Sequence, residues 1–200
     1  MTRVLYGRGQ SRSFRCLWAL NEAGISFEYI EITPATKPDN YAELNSQGKV
    51  PTLSDGDLRL TESAAIVNYA GMLSKEKGLI PEDVVMRARY DEICYFVMTE
   101  LEQPLWTIGK HRFAIPEEHR HEVIFETAAW EFRKALDTLT HLVGRNSFSA
   151  GSHFTFADLL IAHTINWAQR FEMQVDRQWL DFRDVQYERP GCQKSLALVS

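Results

Sequence analysis

The chain has 200 residues, of which 44% are hydrophobic and 24% are charged, and its formal net charge at pH 7 is −5. These proportions are those of a soluble globular protein with one large or two small domains. The acidic balance argues against a nucleic-acid-binding protein, which needs a basic face. No run of about 18 apolar residues occurs, so we expect neither a transmembrane helix nor a membrane partner.

The cysteines bear on the compartment and on metal binding. Cys16, Cys94 and Cys192 are odd in number, lie far apart and form no Cys-x-x-Cys motif. This pattern suits a reducing compartment and offers neither a disulfide framework nor a zinc site. We therefore expect a cytoplasmic protein without a bound metal.

The first part of the chain alternates between strands and helices. A strand at residues 3–6 ends in a glycine-containing turn, and a helix follows that we expect to be N-capped by Ser13 and closed by Gly24. Residues 27–32 alternate with period two, as in a strand with one buried face, and 41–45 form a short helical turn. With the segment described next, the predicted order is βαβαββα, which implies a mixed sheet.

The most informative segment runs from residue 48 to residue 66. Pro51 begins a predicted strand, because proline cannot donate to a sheet ladder. If the Val50–Pro51 bond is cis, the N–H and C=O of Val50 face outward and can pair with an extended peptide. A hairpin follows, and a helix begins at Glu62-Ser63, where unpaired amides and the positive end of the helix dipole favour a carboxylate.

Beyond a linker at residues 79–82, the sequence indicates helices alone. A long helix from about residue 84 to 112 is kinked or split by Pro104. Pro116 is predicted to begin the next helix, with a core stripe of Phe125, Ala128, Ala129, Phe132, Leu136, Leu139 and Leu142. Thr155 and Asp158 form a predicted capping box, and Pro190 starts the last helix. The predicted domains are 1–78 and 84–200.

The Val50-Pro51 turn and the helix start at Glu62-Ser63, in this order and at this spacing, resemble the corresponding motifs of the cytosolic glutathione S-transferases. The resemblance covers the whole chain and implies a thioredoxin-like N-terminal α/β domain followed by an all-α C-terminal helical domain. It implies that Val50, the first residue of the Val50-Pro51 pair, pairs with the cysteinyl backbone of glutathione. By the same resemblance Glu62 and Ser63 hold its γ-glutamyl end and Lys49 approaches a carboxylate.

The resemblance also offers two candidates for the residue that stabilises the glutathione thiolate. Members of the theta and phi classes place a serine four residues before an arginine in the first helix turn, which here is Ser11 with Arg15. Tyrosine-type members place a phenol at the end of the first strand, which here is Tyr6. Cys16 lies too far into the helix to match the cysteine-type classes and is expected to be a small buried hydrophobic residue.

The second substrate is expected between the domains, along the long helix and the loop after the first strand. The candidate residues there are Arg8, Gln10, Met98, Trp106, His111 and Arg112. A tryptophan suits an apolar electrophile, whereas the His111-Arg112 pair suits an anionic one. Such residues at helical spacing are often core or solvated surface, and the sequence leaves both readings open.

Three functions are compatible with these features. The leading one is a glutathione transferase that stabilises the thiolate for attack on a small electrophile. An alternative keeps glutathione as co-substrate but performs isomerisation, dehalogenation, ether cleavage or peroxide reduction. A third is a non-catalytic ligand-binding or protein-interaction module on the same fold. Family members commonly form homodimers, for which exposed apolar residues near Met72, Met86 and Tyr90 are candidates.

Overall fold

The structure is a computed structural model that describes residues 3–144 and 146–199. Its contacts divide the chain into two units, one formed by Pro81–Gln186 and the other by the segments before and after it.

The first unit begins with strands and helices in the predicted βαβαββα order. Its elements are β1 (Val4–Gly7), α1 (Arg12–Ala23), β2 (Glu28–Glu31), α2 (Tyr41–Leu44), β3 (Thr52–Asp55), β4 (Leu58–Leu60) and α3 (Ser63–Met72). A 3-10 turn at Lys75–Lys77 follows α3. The predicted thioredoxin-like element order is therefore confirmed.

The sheet of this unit is mixed, with the strand order β2-β1-β3-β4. β1 runs parallel to β2 and antiparallel to β3, and β3 pairs antiparallel with β4. Leu5 of β1 lies opposite Leu53 of β3, and both side chains are fully buried. Every residue of α1 from Ser13 to Leu20 is buried as well, so α1 is a central core element of this unit.

In the described part of the second unit, all regular secondary structure is helical. It contains α4 (Val84–Phe96), α5 (Glu102–Gly109), α6 (Ile124–Val143), α7 (Phe156–Arg170) and α8 (Arg177–Tyr187), the last residue of which belongs to the first unit. Within the described residues, no helix is both long and apolar enough to span a bilayer. The predicted all-helical C-terminal half is therefore confirmed.

The long helix is not split at Pro104, because the helical backbone continues through this residue. A π-helical turn at Val97–Leu101 joins α4 directly to α5, which contains Pro104, and a second π-helical turn at Lys110–Ala114 ends the run. In a π turn, each backbone N–H donates to the carbonyl five residues earlier instead of four. This shift of the hydrogen-bond ladder accommodates Pro104, which has no backbone N–H to donate. The helical run therefore continues through the proline.

Two other predictions for this half need correction. Pro116 starts only a 3-10 turn, Glu117–His119, and α6 begins at Ile124, because residues 117–122 are polar throughout and have no apolar face to bury. The core stripe of α6 is shifted as well: Ala129 is exposed, and Phe125 and Leu142 are half-buried. Its buried residues are Ala128, Phe132, Ala135, Leu136, Leu139 and Val143.

The predicted capping box at the start of α7 is confirmed. The Asp158 carboxylate accepts the Thr155 N–H at 2.7 Å, the Thr155 hydroxyl at 3.1 Å and the Ser149 N–H at 2.6 Å. Asp158 and Thr155 are fully buried. This carboxylate therefore ties the preceding loop to the first turn of the most buried helix of the second unit.

The last helix, α9 (Pro190–Leu196), starts at Pro190 as predicted and packs on α1 in the first unit. Arg189 makes an ion pair with Glu22 at 2.5 Å. Gly191 lies so close to α1 that an added Cβ would stand 2.8 Å from the backbone nitrogen of Glu22. A side chain at this position would therefore separate the two helices.

Candidate functional site

The loop that enters β3 presents an unpaired stretch of backbone. The Val50–Pro51 bond is cis, Val50 is half-buried and Pro51 is buried. Pairing between β1 and β3 ends at Tyr6 and Thr52. Neither the N–H nor the C=O of Val50 makes a hydrogen bond to any residue that the structure describes. Val50 is thus free to pair with an extended ligand.

Buried polar groups hold this loop in place. The Tyr41 hydroxyl donates to the Lys49 carbonyl at 2.9 Å, and Asn45 Nδ2 donates to the same carbonyl at 2.8 Å. Both side chains also lie within hydrogen-bond distance of Thr52 Oγ1, at 3.0 and 3.2 Å. Tyr41, Asn45 and Thr52 are all buried. The backbone before Val50 is therefore fixed by side chains from α2 and its C-terminal end.

The start of α3 carries the second part of the site. Ser63 is the first residue of this helix and is only 2% exposed, yet its hydroxyl has no hydrogen-bond partner among the described residues. Glu62, immediately before it, is exposed and makes no capping hydrogen bond. The first amides of a helix also lack intrahelical acceptors. A buried, partnerless hydroxyl beside such amides is suited to bind a carboxylate.

Cys16 links α1 to this helix start. Its thiol is fully buried and lies 3.6 Å from the carbonyl oxygen of Ser63. Burial raises the pKa of the Cys16 thiol well above its usual range, and the charge of Arg15 only partly opposes that effect. The thiol is therefore neutral, and its role is to pack α1 against the first turn of α3.

Ser11 immediately precedes Arg12, the first residue of α1. It is the N-cap of the helix, is exposed, and its Oγ accepts the Ser13 N–H at 3.2 Å. The prediction that Ser13 is the N-cap is wrong, because the helix already begins at Arg12. Ser13 is buried inside the first turn, where its hydroxyl accepts the Arg8 N–H at 3.2 Å and a hydrogen bond from Ser11 at 3.1 Å.

Tyr6 lies on the other face of the sheet. A Cβ added to Gly7 would stand 2.7 Å from the Ser13 Cβ, so Gly7 faces the start of α1. Side chains alternate along a strand, so Tyr6 points away from α1. Its ring is half-buried and packs edge-on against Tyr41, with ring centroids 6.0 Å apart. Tyr6 thus contributes to the packing around α2.

Two lysines flank the unpaired backbone. Lys49 is exposed, and its Nζ lies 3.1 Å from the Gln47 side-chain oxygen. Lys37 Nζ lies 3.4 Å from the Gly48 carbonyl oxygen and 5.5 Å from the centre of the Tyr41 ring. Sequence analysis missed Lys37, because it precedes Val50 by thirteen residues in a loop without a periodic pattern. Its proximity to Gly48 is visible only in three dimensions.

The candidates for the second-substrate site lie in both units. Arg8 and Gln10 are exposed in the turn between β1 and α1, and Met98 and Trp106 are half-buried on the α4–α5 helical run of the second unit. His111 Nδ1 accepts the His121 N–H at 3.0 Å.

The Arg112 guanidinium lies over the rings of Phe125 and Phe171, 5.6 and 5.1 Å from their centres. His111 and Arg112 therefore both contact residues of their own unit. Among the residues that the structure describes, no group of His, Cys, Asp or Glu could hold a metal ion.

Comparison with known proteins identifies the family. The glutathione S-transferase N-terminal domain profile matches residues 2–71, and the C-terminal domain profile matches residues 101–184. A glutathione S-transferase of Triticum aestivum is 31% identical over 180 residues, which cover 87% of this chain and 82% of the wheat protein. The chain belongs to the glutathione S-transferase family. The sequence resemblance is thereby confirmed at the level of the family.

Solved glutathione S-transferases share the fold along nearly the whole chain. The enzyme from Xylella fastidiosa superimposes with a TM-score of 0.86 at 22% identity and covers 98% of both chains. A theta-class enzyme from Xanthomonas axonopodis pv. citri, solved with glutathione bound, gives a TM-score of 0.80 at 24% identity over 98% of this chain and 97% of its own. The transferase fold therefore extends from β1 to α9.

Proposed function

We propose that this chain is a glutathione transferase, which binds glutathione as co-substrate and stabilises its thiolate for attack on a small electrophilic carbon. Two features together carry the proposal. The backbone N–H and C=O of Val50 are unpaired among the described residues, and the buried Ser63 hydroxyl has no hydrogen-bond partner among them. A tripeptide with a carboxylate at its γ-glutamyl end matches both features.

The first step is docking of the tripeptide. The cysteinyl N–H and C=O of glutathione pair with the C=O and N–H of Val50, as an extra strand does at a sheet edge. The γ-glutamyl carboxylate accepts hydrogen bonds from the Ser63 hydroxyl and from the first amides of α3. Glu62 is exposed at the same helix start and attracts the γ-glutamyl ammonium group.

The glycine end of glutathione carries the second carboxylate. Lys49 and Lys37 both lie near the backbone that precedes Val50, through their contacts to Gln47 and Gly48. We assign the glycine carboxylate to these two cations. Their exposure means that the attraction weakens as the salt concentration rises.

The chemical step requires a thiolate near neutral pH. A free thiol ionises near pH 8.5, and a hydrogen-bond donor or a helix N-terminus lowers that value. Ser11 offers both, because it is exposed, caps α1 and can rotate its hydroxyl hydrogen away from Ser13. We assign the thiolate contact to Ser11 rather than to Tyr6, whose side chain points away from the start of α1.

The leaving and attacking atoms follow from this arrangement. The sulfur forms a bond to the electrophilic carbon, the leaving group departs with its electron pair, and the serine keeps its proton throughout. Residues 84–200 are proposed to supply the acceptor site, with Met98 and Trp106 as its apolar part. His111 and Arg112 are weaker candidates, because contacts to His121, Phe125 and Phe171 already hold them.

The assay for this proposal is steady-state conjugation of glutathione with a panel of aryl halides, epoxides and unsaturated carbonyl compounds. We expect saturable turnover with at least one of these electrophiles. Turnover only with a disulfide, a peroxide or a cis-trans isomerisable substrate would favour the alternative glutathione-dependent reactions. Retention on immobilised glutathione without any turnover would favour the non-catalytic module.

We also propose that the protein is a cytoplasmic homodimer. Large apolar side chains are exposed in both units, with Met72 at 49%, Val84 at 81% and Met86 at 36% exposure. Tyr90 is fully buried, so the expectation that it contributes to a dimer surface is wrong. Sedimentation equilibrium would show a mass of twice 23.1 kDa, and a concentration-independent monomer would contradict the dimer.

A further inference from the structure

The C-terminal segment, residues 187–196, covers one face of α1. It belongs to the same unit as α1, although the whole helical unit separates the two in the sequence. This face of α1 consists of residues spaced three and four apart, namely Phe14, Trp18, Asn21 and Glu22. Each of the four contacts a residue of the C-terminal segment. α1 is therefore held by residues from the other end of the chain.

Tyr187 covers the beginning of this face. Its ring stacks on Phe14, with centroids 6.1 Å apart and planes at 22°, and meets Trp18 edge-on at 5.3 Å. Phe14 and Trp18 are at most 1% exposed. Stacked and edge-on aromatic pairs attract each other beyond the effect of burial alone. Because Phe14 lies three residues after Ser11, Tyr187 packs on the turn of α1 that Ser11 caps.

Arg189 binds the other end of the face. Its Nε donates to Glu22 Oε1 at 3.0 Å, and Trp18 Nε1 donates to Glu22 Oε2 at 3.2 Å. The Glu22 side chain is only 9% exposed. Hydrogen bonds to a charged group are stronger than neutral ones, and a low local dielectric strengthens them further. The Glu22 carboxylate therefore fixes α1 to the C-terminal segment.

Gly191 sets the distance between α9 and α1. An added Cβ would stand 2.8 Å from both the backbone nitrogen and the Cα of Glu22, so no side chain fits between the helices. Asn21 Nδ2 donates to Ser195 Oγ at 2.8 Å, and that hydroxyl donates to the Gly191 carbonyl at 2.7 Å. The C-terminal segment therefore determines both the distance and the register of the contact.

Different parts of the first unit hold the two ends of the proposed glutathione site. Tyr41 and Asn45 fix the backbone before Val50. The C-terminal segment instead holds one face of α1, which has Ser11 as its N-cap. The hydrogen-bond ladder of a helix makes it move as a unit, so a displacement at Glu22 also displaces Ser11. Because a misplacement of about 1 Å can cost about a hundredfold in rate, such a shift should impair the thiolate contact more than glutathione binding.

We propose that Tyr187, Arg189 and Gly191 are positioning residues for the thiolate contact: they hold α1 where the Ser11 hydroxyl reaches the sulfur of bound glutathione. This inference rests on the proposed transferase function and makes its chemical step depend on residues at the far end of the chain. None of the three was a candidate for the glutathione or the acceptor site.

The test measures two quantities in variants of the full chain: the dissociation constant of glutathione by calorimetry, and the pKa of the bound thiol by its ultraviolet absorbance. Gly191→Ala should push α9 away from α1. It should raise the pKa of the bound thiol by about half a unit or more and change the dissociation constant less than about twofold. Tyr187→Leu, which keeps an apolar side chain but loses the stacked ring, should act in the same direction.

Variants of Arg189 keep the inference testable if Gly191→Ala does not fold. The Arg189 side chain is 30% exposed, so Arg189→Met preserves the fold while it removes the ion pair with Glu22. It should raise the pKa of the bound thiol as Gly191→Ala does. Arg189→Lys can still donate to Glu22, so it should restore most of the wild-type value.

Two control variants separate positioning from stability. Asp158→Ala lowers the stability of the second unit, and Arg133→Met removes a part-exposed ion pair with Asp176. Both should leave the two measured quantities unchanged, because neither residue belongs to the unit that contains α1.

Two results would contradict the inference, and they have different meanings. If the wild-type protein binds glutathione and the pKa of the bound thiol is the same in Arg189→Met and Tyr187→Leu, the positioning role is overturned and the transferase function stands. If the wild-type protein forms no saturable complex with glutathione, the proposed transferase function fails and this inference fails with it.

Discussion

The Ser11 hydroxyl lies 3.1 Å from the Ser13 hydroxyl, and it also accepts the Ser13 amide hydrogen at 3.2 Å. Ser13 is buried inside the first turn of α1, while Ser11 remains exposed as the N-cap. Ser13 thus packs inside the first turn, whereas Ser11 caps the helix and remains accessible to a ligand. Since Ser11 caps the helix as well, a test of its chemical role must separate activity from stability.

Ser11→Ala should lower turnover at least tenfold with little change in the KM for glutathione, because it removes the hydrogen bond to the thiolate. It should also reduce the free energy of unfolding by about 1 kcal/mol, because the N-cap is lost. Steady-state kinetics and urea unfolding measure the two effects.

Two variants at Ser11 serve as controls. Ser11→Thr keeps both the cap and the hydroxyl, so it should retain most of the activity. Ser11→Asp keeps the cap but presents a negative charge to the thiolate, so it should be inactive and stable. If Ser11→Ala or Ser11→Asp were active, the contact to the thiolate would instead be assigned to Tyr6 or to backbone amides.

Ser63→Ala should raise the KM for glutathione about tenfold without reducing stability. The Ser63 hydroxyl has no partner in the described part of the chain, so its removal breaks no internal hydrogen bond. Ser74→Ala is the matched control, because that equally buried hydroxyl donates to the Ala23 carbonyl at 2.9 Å.

Ser74→Ala should therefore lose about 1–2 kcal/mol of stability and leave the KM unchanged. Kinetics and chemical denaturation of the two variants, run in parallel, give the comparison. If Ser63→Ala were the less stable variant and bound glutathione normally, Ser63 would be a structural residue.

The three thiols should be unreactive in the folded protein. Cys16, Cys94 and Cys192 are all buried, and burial raises the pKa of Cys94 and of Cys192 to about 12. A thiol reagent at pH 8 should modify none of them before unfolding and all three afterwards. Rapid modification of any one in the folded protein would contradict the burial described for it.

The same thiols should make the protein less stable at alkaline pH. Above the unfolded pKa of about 8.5, a thiol loses its proton in the unfolded chain but keeps it in the folded protein. Each thiol then lowers the free energy of unfolding by about 1.4 kcal/mol per pH unit until the folded pKa is reached. Urea unfolding at pH 8.0 and at about pH 10 tests this expectation, and equal stability at the two values would contradict it.

Asp158→Ala should destabilise the second unit by about 3 kcal/mol, because it leaves two buried backbone amides, of Thr155 and Ser149, without acceptors. Asp176→Ala is the control, since the ion pair of Asp176 with Arg133 is 44% and 34% exposed and contributes less than about 1 kcal/mol. Thermal unfolding of both variants gives the comparison, and equal effects would contradict the role of the capping box.

The sequence predicted the features that depend on local chemistry. The order of strands and helices around the Val50–Pro51 turn, the start of α3 and the Thr155–Asp158 box all follow from residues close together in the chain. Helix starts without such markers were less predictable. Pro116 carries the signals of a helix start, yet α6 begins at Ile124, where an apolar face first becomes available.

Other features depend on contacts between distant residues. Nothing local distinguishes Ser63 from an ordinary helix-start serine, and its missing partner is visible only in the folded chain. The position of Lys37 near Gly48 and the two rings that hold Arg112 are likewise visible only in the folded chain. The sequence also did not predict the π turn before Pro104, where a shift of the backbone hydrogen bonds lets the helix continue through the proline.

The ionisation of bound glutathione tests the central claim most directly. The ultraviolet absorbance of the thiolate can be followed against pH in the complex of the wild-type protein and in that of Ser11→Ala. We predict that the pKa of the glutathione thiol is at least one unit lower in the complex with the wild-type protein than in free glutathione. In the complex with Ser11→Ala, most of this lowering should be lost. No saturable complex, or the same ionisation in both proteins, would contradict the assignment.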